Sequence, residues 1–333
     1  MKIDTLPLPD SAINFLKSQG YEKLYPPQSD SVKFGLLNGK SILVSAPTAS
    51  GKTLIAMLAM LSYLSKNNGK VVYLSPLRAL AAEKVTEFKK LEKISIGNKI
   101  KTSISTGDFE HIEKNLESSN ILILTNEKMD SIIRHGAEWV EDIGLVISDE
   151  VHLIGDEGRG PTLEMILTHL KLLDTKPQIV GLSATITNSD EIAKWLDCKL
   201  VKNDWRPVPL SEGVCDGGQV TMSDGKIFEV KPSLRGIPID LGVQCVQEGG
   251  QSLVFAATRV SSKSLATKAS DIISQFLQKK ELSALEKTSK QILAENEHTE
   301  IVKTLATLVK KGVAFHHAGS VSYTHLRAHE TDS

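Results

Sequence analysis

Short apolar runs alternate with helical patterns along most of the chain. Runs at 42–44, 70–75, 101–105, 121–125, 144–148 and 178–182 have the length of buried strands and are closed by turn or polar residues. Apolar-periodic stretches follow most of them, such as 54–64 after the first and 76–91 after the second. Strands that alternate with helices predict an α/β fold whose parallel sheet carries helices on both faces. Ligands of such sheets sit beyond the carboxyl ends of the strands, so the residues just past each run are the ones to read for chemistry. Ahead of the first strand, 9–19 reads as a short helix with Asp10 or Ser11 near its cap and Gly20 at its end. Pro26 and Pro27 then open a helical run to 37.

The pattern changes after Asp197. Trp205-Arg-Pro-Val-Pro209 is stiff and extended, as a connector would be. Beyond it, 219–230 reads as a hairpin around Ser223-Asp-Gly225. The runs 252–256 and 313–316 read as two further buried strands, separated by long helical stretches to 311. A second α/β unit therefore starts near residue 206, with too few strands to complete a sheet. The expected division is a first domain at 1–204, a partial second domain at 205–319 and a tail at 320–333 that reads as non-native. His325 and His329 in that tail stand at i,i+4 spacing, but no third ligand accompanies them and no metal site is assigned.

At 333 residues and 41% hydrophobic, the chain can bury a large core. Lys+Arg (39) and Asp+Glu (40) nearly cancel, so a surface for nucleic acid has to be local rather than a global basic footprint. Cys198, Cys215 and Cys245 lack C-x-x-C spacing, which predicts free thiols in a reducing compartment and no zinc site. Met1-Lys-Ile-Asp-Thr-Leu-Pro7 lacks the apolar core of a signal peptide, and no apolar run reaches the ~18 residues of a membrane span. The expectation is a cytoplasmic protein without a membrane partner.

The first strand runs into Ala46-Pro-Thr-Ala-Ser-Gly-Lys-Thr53 and then an apolar helix. That is the strand–loop–helix context of a phosphate-binding loop, whose backbone N–H groups and helix N-terminus favour negative charge. Thr48, Ala49, Ser50 and Gly51 would cradle the phosphates, Lys52 would reach the β/γ-phosphates, and the Thr53 hydroxyl would ligate Mg²⁺. The pattern G-x-x-x-x-G-K-[ST] has glycine where this chain has Ala46, and the competing reading is a chance Gly-Lys-Thr after an apolar run. Gly144-Leu-Val-Ile-Ser-Asp-Glu-Val-His152 ends a strand on two adjacent carboxylates. Asp149 can hold Mg²⁺ and Glu150 can orient and deprotonate a water, or both can be solvated acids at a strand end. Gln28, placed by the two prolines, presents an amide that can read an adenine edge, or is a solvated residue in a helix start. Gly181-Leu-Ser-Ala-Thr185 in isolation is a turn, and Gly155-Asp-Glu-Gly-Arg-Gly160 is a flexible loop carrying Arg159.

Taken together, these residues resemble the superfamily 2 helicases, in the DExH-box, Ski-like branch, and are most similar to the archaeal Hjm-type repair helicases. Gln28 matches the adenine-reading Q motif, and Ala46–Thr53 matches motif I, which in that family often begins Ala-Pro-Thr. Pro76-Leu-Arg-Ala-Leu80 matches motif Ia, Thr125-Asn-Glu-Lys128 a strand-contacting element, Asp149-Glu-Val-His152 the DExH box and Ser183-Ala-Thr185 motif III. Trp205-Arg-Pro-Val-Pro-Leu210 resembles the hinge into a second RecA-like domain. Gln251-Ser-Leu-Val-Phe255 with Arg259 resembles motif IV, and Phe315-His-His-Ala-Gly319 the element leading towards motif V. The resemblance covers residues 1 to 319.

It implies a RecA-like P-loop NTPase fold followed by a second, incomplete RecA-like domain, and ATP with Mg²⁺ as cofactors. The metal would be held by Thr53 and Asp149, with His152, Ser183 and Thr185 relaying nucleotide state to the nucleic-acid face. Single-stranded or forked DNA would lie along Arg78, Thr125, Lys128 and Arg259, with RNA as the alternative substrate and a monomer as the expected state. It implies ATP-driven 3′–5′ unwinding at replication forks or repair intermediates; a nucleotide-binding ATPase that does not translocate is the competing class. The family's Gly-Arg-x-Gly-Arg motif VI, winged helix and ratchet domain do not occur in the sequence, so the chain reads as an N-terminal fragment. An arginine finger contributes roughly 10³–10⁵ in rate, so hydrolysis by this chain is expected to be slow.

Overall fold

The computed structural model describes residues 1–96, 98–106, 116–231, 236–295 and 299–317. The chain divides into two compact units, Met1–Pro209 and Leu210–Ser333.

The first unit is built on a seven-stranded sheet. Its strands are β1 (Ile42–Ser45), β2 (Lys70–Ser75), β5 (Thr102–Ser105), β6 (Ile121–Thr125), β7 (Ile143–Ser148), β8 (Gln178–Ser183) and β9 (Lys199–Lys202). The order across the sheet is β5-β6-β2-β7-β8-β1-β9, with every neighbouring pair parallel. A separate two-stranded antiparallel ladder joins β3 (Ser95–Ile96) to β4 (Asn98–Lys99). Strands β1, β2, β6 and β8 are buried at every residue, which is why they read as unbroken apolar runs.

Successive side chains of a strand face opposite ways, and the sheet separates two cores accordingly. Ile42, Val44, Val71 and Tyr73 join one apolar cluster, while Leu43, Val72 and Leu74 join the other. Helices α1 (Asp10–Ser18), α2 (Pro26–Lys33), α3 (Lys52–Leu64) and α4 (Arg78–Phe88) supply the first cluster. Helices α5 (Asn126–Arg134), α6 (Gly160–Lys171) and α7 (Ser189–Trp195) supply the second. α3 is buried along nearly its whole length, from Leu54 to Ser62 and again at Leu64, as expected for a helix apolar on all sides.

Two features of this unit depart from the sequence reading. β9 was not foreseen: Lys199-Leu-Val-Lys202 is an edge strand with exposed lysines at both ends, so it lacks the apolar signature of the inner strands. The helical run expected from Pro26 to 37 stops at Lys33, because Gly35 adopts φ +106° and a short 3₁₀ turn, Leu36–Asn38, follows.

The second unit contains an antiparallel sheet of β10 (Gly213–Asp216), β11 (Gln219–Met222) and β12 (Ile227–Glu229). Helices α8 (Ile237–Gln247), α9 (Arg259–Ile273), α10 (Lys279–Glu295) and α11 (Glu300–Lys310) follow. The hairpin foreseen at 219–230 is formed by β11 and β12. The strands foreseen at 252–256 and 313–316 are absent: both stretches are irregular among the described residues. Leu253 and Phe255 are 80% and 89% exposed, so the run 252–256 has the composition of a buried strand without neighbours to bury it. Phe315 packs instead into a local cluster with Ala266, Ile292, Val302 and Leu305. The stretch 320–333, with His325 and His329, lies outside the described residues.

Candidate functional site

The phosphate-loop sequence sits where the fold rule places ligands, at the carboxyl end of β1. Ser45 pairs in register with Ser183 of β8, and the Ala46 N–H donates to the Ser183 carbonyl at 3.2 Å. Within 46–53 the left-handed backbone positions are Ala49 (φ +64°) and Gly51 (φ +81°), and Ala46 is not among them. A left-handed φ is where glycine is needed, so an alanine at 46 fits and the departure from the motif has no steric consequence. Gly51 cannot be replaced so freely: a Cβ there would lie 2.1 Å from Gln28 Nε2. Thr48 and Ala49 are exposed, whereas Ser50 is fully buried and its hydroxyl has no hydrogen-bond partner among the described residues. An orphaned buried hydroxyl inside a loop of this type is a group that a phosphate oxygen can satisfy.

Lys52, the first residue of α3, folds back across the loop, and its ammonium donates to the carbonyls of Ala46 (2.9 Å) and Pro47 (3.1 Å). Burial pushes its pKa down, against the opposing pull of Glu150 and Asp149. An anion bound in the loop would offset that desolvation by favouring the charged ammonium.

Gln28 is not the solvated residue of a plain helix start, since it is only 2% exposed. Its Oε1 accepts from the Tyr25 N–H (2.7 Å) and its Nε2 donates to the Gly51 carbonyl (3.1 Å). The amide thus bolts the start of α2 to the phosphate loop. Tyr25 packs against Trp205 with ring centroids 4.5 Å apart and the rings tilted by 40°, and Asn203 donates to Asp30 at 3.0 Å. Residues 203–205 therefore pack on α2 and belong to the compact unit Met1–Pro209.

The acidic pair follows β7. The Asp149 N–H donates to the Leu74 carbonyl, and its carboxylate accepts from the Glu150 N–H (3.1 Å) and from the buried Tyr73 hydroxyl (2.5 Å). Burial, and then the Asp149 charge, push the Tyr73 pKa well up, so its phenol remains a donor. Glu150 has φ +49°, a left-handed conformation that strains a residue of this kind and turns its side chain away from the strand line. Its carboxylate lies 3.3 Å from His152 Nδ1, and the same nitrogen is 3.4 Å from Ser183 Oγ. Glu150, His152 and Ser183 thus form a contact chain from β7 to β8, next to β1. Thr185, two residues on, is exposed and belongs to no contact in this chain.

Thr53 Oγ1 accepts from the Lys84 ammonium at 3.0 Å, and that ammonium also lies 3.3 Å from both Glu83 and Glu87. Burial alone would lower the Lys84 pKa, but Glu87, Glu83 and Asp149 outweigh it and hold the ammonium charged. The Thr53 hydroxyl and the Asp149 carboxylate are hard oxygen donors, the ligand chemistry that suits Mg²⁺.

A second recess of about 240 Å³ lies beyond β2 and β6, lined by Pro76, Leu77, Arg78, Thr106, Thr125, Glu127, Lys128 and Arg159. It gathers Arg78, the exposed first residue of α4, with Lys128 of α5. Thr125 is nearly buried, and its hydroxyl accepts from the Lys128 N–H, so it caps α5 as well as lining the recess. Arg159 and Thr106 were not foreseen here. The loop 155–160 is not free, because Asp156 accepts from the N–H groups of Gly158 (3.0 Å) and Arg159 (2.8 Å) and so directs Arg159. Arg259 belongs to the second unit, in the first turn of α9, where it lines a recess with Val260, Lys263 and Lys268.

Tyr73 and Lys84 are the site residues the sequence gave no sign of. Each lies in a stretch that reads as ordinary strand or helix: the parallel pairing of β2 with β7 brings Tyr73 to Asp149, and the packing of α4 brings Lys84 to Thr53.

Residues 25–192 match the DEAD/DEAH box helicase family. The chain is 43% identical over 319 residues to the ATP-dependent DNA helicase Hel308 of Thermococcus kodakarensis, covering 96% of this chain and 27% of that protein. It is 42% identical to the Hel308 proteins of Methanocella arvoryzae and Pyrococcus horikoshii, again over 96% of this chain and over 43% and 42% of theirs. It thus spans well under half the length of these relatives. Among solved structures, the DUF1998 helicase MrfA is similar with a TM-score of 0.63 and 21% identity, covering 90% of this chain and 46% of that one.

Proposed function

The chain belongs to the DEAD/DEAH box helicase family, and from that premise we propose that it forms the ATP-binding motor portion of a DNA helicase. The observation that carries this reading is the convergence of the phosphate loop, the acidic pair and Ser183 at the carboxyl ends of β1, β7 and β8. ATP binds with its phosphates on Ser50, Gly51, Lys52 and Thr53. Lys52 leaves the carbonyls of Ala46 and Pro47 to neutralise charge developing on the transferred phosphoryl group. Glu150, oriented by His152, positions a water and accepts its proton. Thr53 and Asp149 are the residues that would hold Mg²⁺, which when bound neutralises the β- and γ-phosphates. Tyr73 donates to one Asp149 oxygen and the Glu150 N–H to the other, which together fix the carboxylate's orientation.

Arg78, Lys128 and Arg159 hold the phosphates of a single strand, with little sequence preference. The unit that begins at Leu210 is read as the start of a second RecA-like domain, and Arg259 lies in it. The names of the Hel308 relatives favour DNA, and the resemblance favours 3′–5′ movement at forks by a cytoplasmic monomer.

The test is ATP hydrolysis by the 333-residue chain with and without single-stranded DNA, single-stranded RNA and duplex DNA. The expected result is slow turnover raised most by single-stranded DNA, and lost by about 10²–10⁴-fold in Glu150→Gln. Greater stimulation by RNA would move the substrate to RNA. Turnover indifferent to either strand would leave a nucleotide-binding ATPase that does not translocate. Unchanged turnover in Glu150→Gln would remove the assigned base.

A further inference from the structure

One charged group near the nucleotide site has no part in the scheme above. Lys84 is a lysine with only 12% of its side chain exposed, and its ammonium donates to the Thr53 hydroxyl. That hydroxyl is the same oxygen the proposed metal needs. Two carboxylates of its own helix, Glu83 and Glu87, already accept from the ammonium at 3.3 Å and can hold it alone once the Thr53 bond is given up. The ammonium is therefore poised between two sets of oxygens, one belonging to the nucleotide site and one to α4.

The position of Lys84 on α4 gives this arrangement a reach beyond the nucleotide. Arg78, the first residue of the same helix, lines the recess with Thr125, Lys128 and Arg159. Six residues of helix place the two side chains roughly 9 Å apart along one rigid axis. A shift or rotation of α4 that seats Arg78 on a phosphate is thereby also a displacement of Lys84 relative to Thr53. α4 is one unbroken helix from Arg78 to Phe88, so a displacement of its first turn would be carried to Lys84.

We propose that Lys84 is a positioning residue that acts as a built-in counter-cation of the nucleotide site. It holds the Thr53 hydroxyl when no divalent cation is present and is drawn off to Glu83 and Glu87 when a strand engages the N-terminus of α4. Two cations competing for one hydroxyl repel each other, so Lys84 weakens metal–nucleotide binding in the absence of nucleic acid. A strand in the recess relieves that competition. The assignment rests on the reading of Thr53 as a metal ligand and of the Arg78 recess as the strand-binding surface.

The experiment uses the full 333-residue chain and a fluorescent ADP analogue. Binding is titrated over a range of Mg²⁺ concentrations, with and without an oligo-dT strand, for wild type, Lys84→Met, Lys84→Arg and Lys52→Ala. In wild type the strand is expected to tighten Mg²⁺-dependent binding about tenfold, within the usual range for coupled sites. Lys84→Met should bind tightly without DNA, need less Mg²⁺ and gain little from the strand, while Lys84→Arg keeps the wild-type linkage. A lysine with only a packing role predicts the opposite sign, weaker binding at every Mg²⁺ concentration. That result, or a Lys84→Met variant that retains the full DNA effect, overturns the proposal while leaving the ATP site standing. Wild-type binding insensitive to the strand overturns it as well. If wild type and Lys52→Ala bind the nucleotide equally, the reading of the nucleotide site itself fails and the proposal falls with it.

Discussion

Replacing Gln28 by glutamate tests the joint between α2 and the phosphate loop with almost no change in shape. The acceptor oxygen facing the Tyr25 N–H is kept, but the donor facing the Gly51 carbonyl at 3.1 Å becomes an oxygen. Losing that hydrogen bond costs about 1 kcal/mol, and leaving the paired groups unsatisfied at a site only 2% exposed adds about 1–3 kcal/mol. The total, about 2–4 kcal/mol at pH 7.5, should lower the urea midpoint by about 1 M or more. The assay is favourable because Trp139, Trp195 and Trp205 are the only tryptophans and all lie in Met1–Pro209, so tryptophan fluorescence follows that unit alone. The pH dependence carries a sign. Burial would raise the folded pKa of the new carboxyl above the ordinary ~4.3. The penalty is then small near that unfolded value, grows as pH rises above it, and is complete once pH exceeds the raised folded value. A protonated carboxyl can also donate to the Gly51 carbonyl, so the variant should approach wild type near pH 5. A variant within about 0.5 kcal/mol of wild type at pH 7.5 would refute the reasoning, since surface substitutions fall in that range.

Other consequences can be checked on the same protein. Arg159→Ala, at a residue only the structure brings to the recess, should weaken single-strand binding and reduce the slope of log K against log salt by about 0.7, the share of one phosphate contact; an unchanged slope removes Arg159 from the surface. Burial, helped by Asp197, pushes the Cys198 thiol up to about 12, so it should resist iodoacetamide at pH 8 while Cys215 and Cys245 react; peptide mass mapping reads this directly. The same raised value means that folding keeps Cys198 protonated, so stability is unaffected below the thiol's ordinary value and falls as pH rises from there towards 12.

The inner strands of the first unit were legible because a parallel sheet covered on both faces needs apolar residues at every position, as β2 and β6 have. β9 escaped because an edge strand can keep lysines at its ends. The run 252–256 misled for the converse reason: its composition suits a buried strand, but burial depends on neighbouring strands that composition does not supply. At the site, the phosphate loop and the acidic pair were legible because their chemistry lies within a few consecutive residues. The anchoring role of Gln28 required knowing that α2 meets Gly51, and the contacts of Tyr73 and Lys84 required the pairing of β2 with β7 and the packing of α4. Arg159 looked like part of a flexible loop because one hydrogen-bonding aspartate, Asp156, is a weak signal in sequence and a firm one in space.

The most direct measurement is calorimetric titration of Mg·ATP into the wild-type chain, Lys52→Ala and Glu150→Gln. The account predicts Mg²⁺-dependent binding by wild type and Glu150→Gln alike, and a loss of about 10–100-fold in Lys52→Ala, the worth of a charge-assisted hydrogen bond. Equal binding by wild type and Lys52→Ala would contradict it, because the nucleotide would then lie somewhere other than the loop that joins β1 to α3.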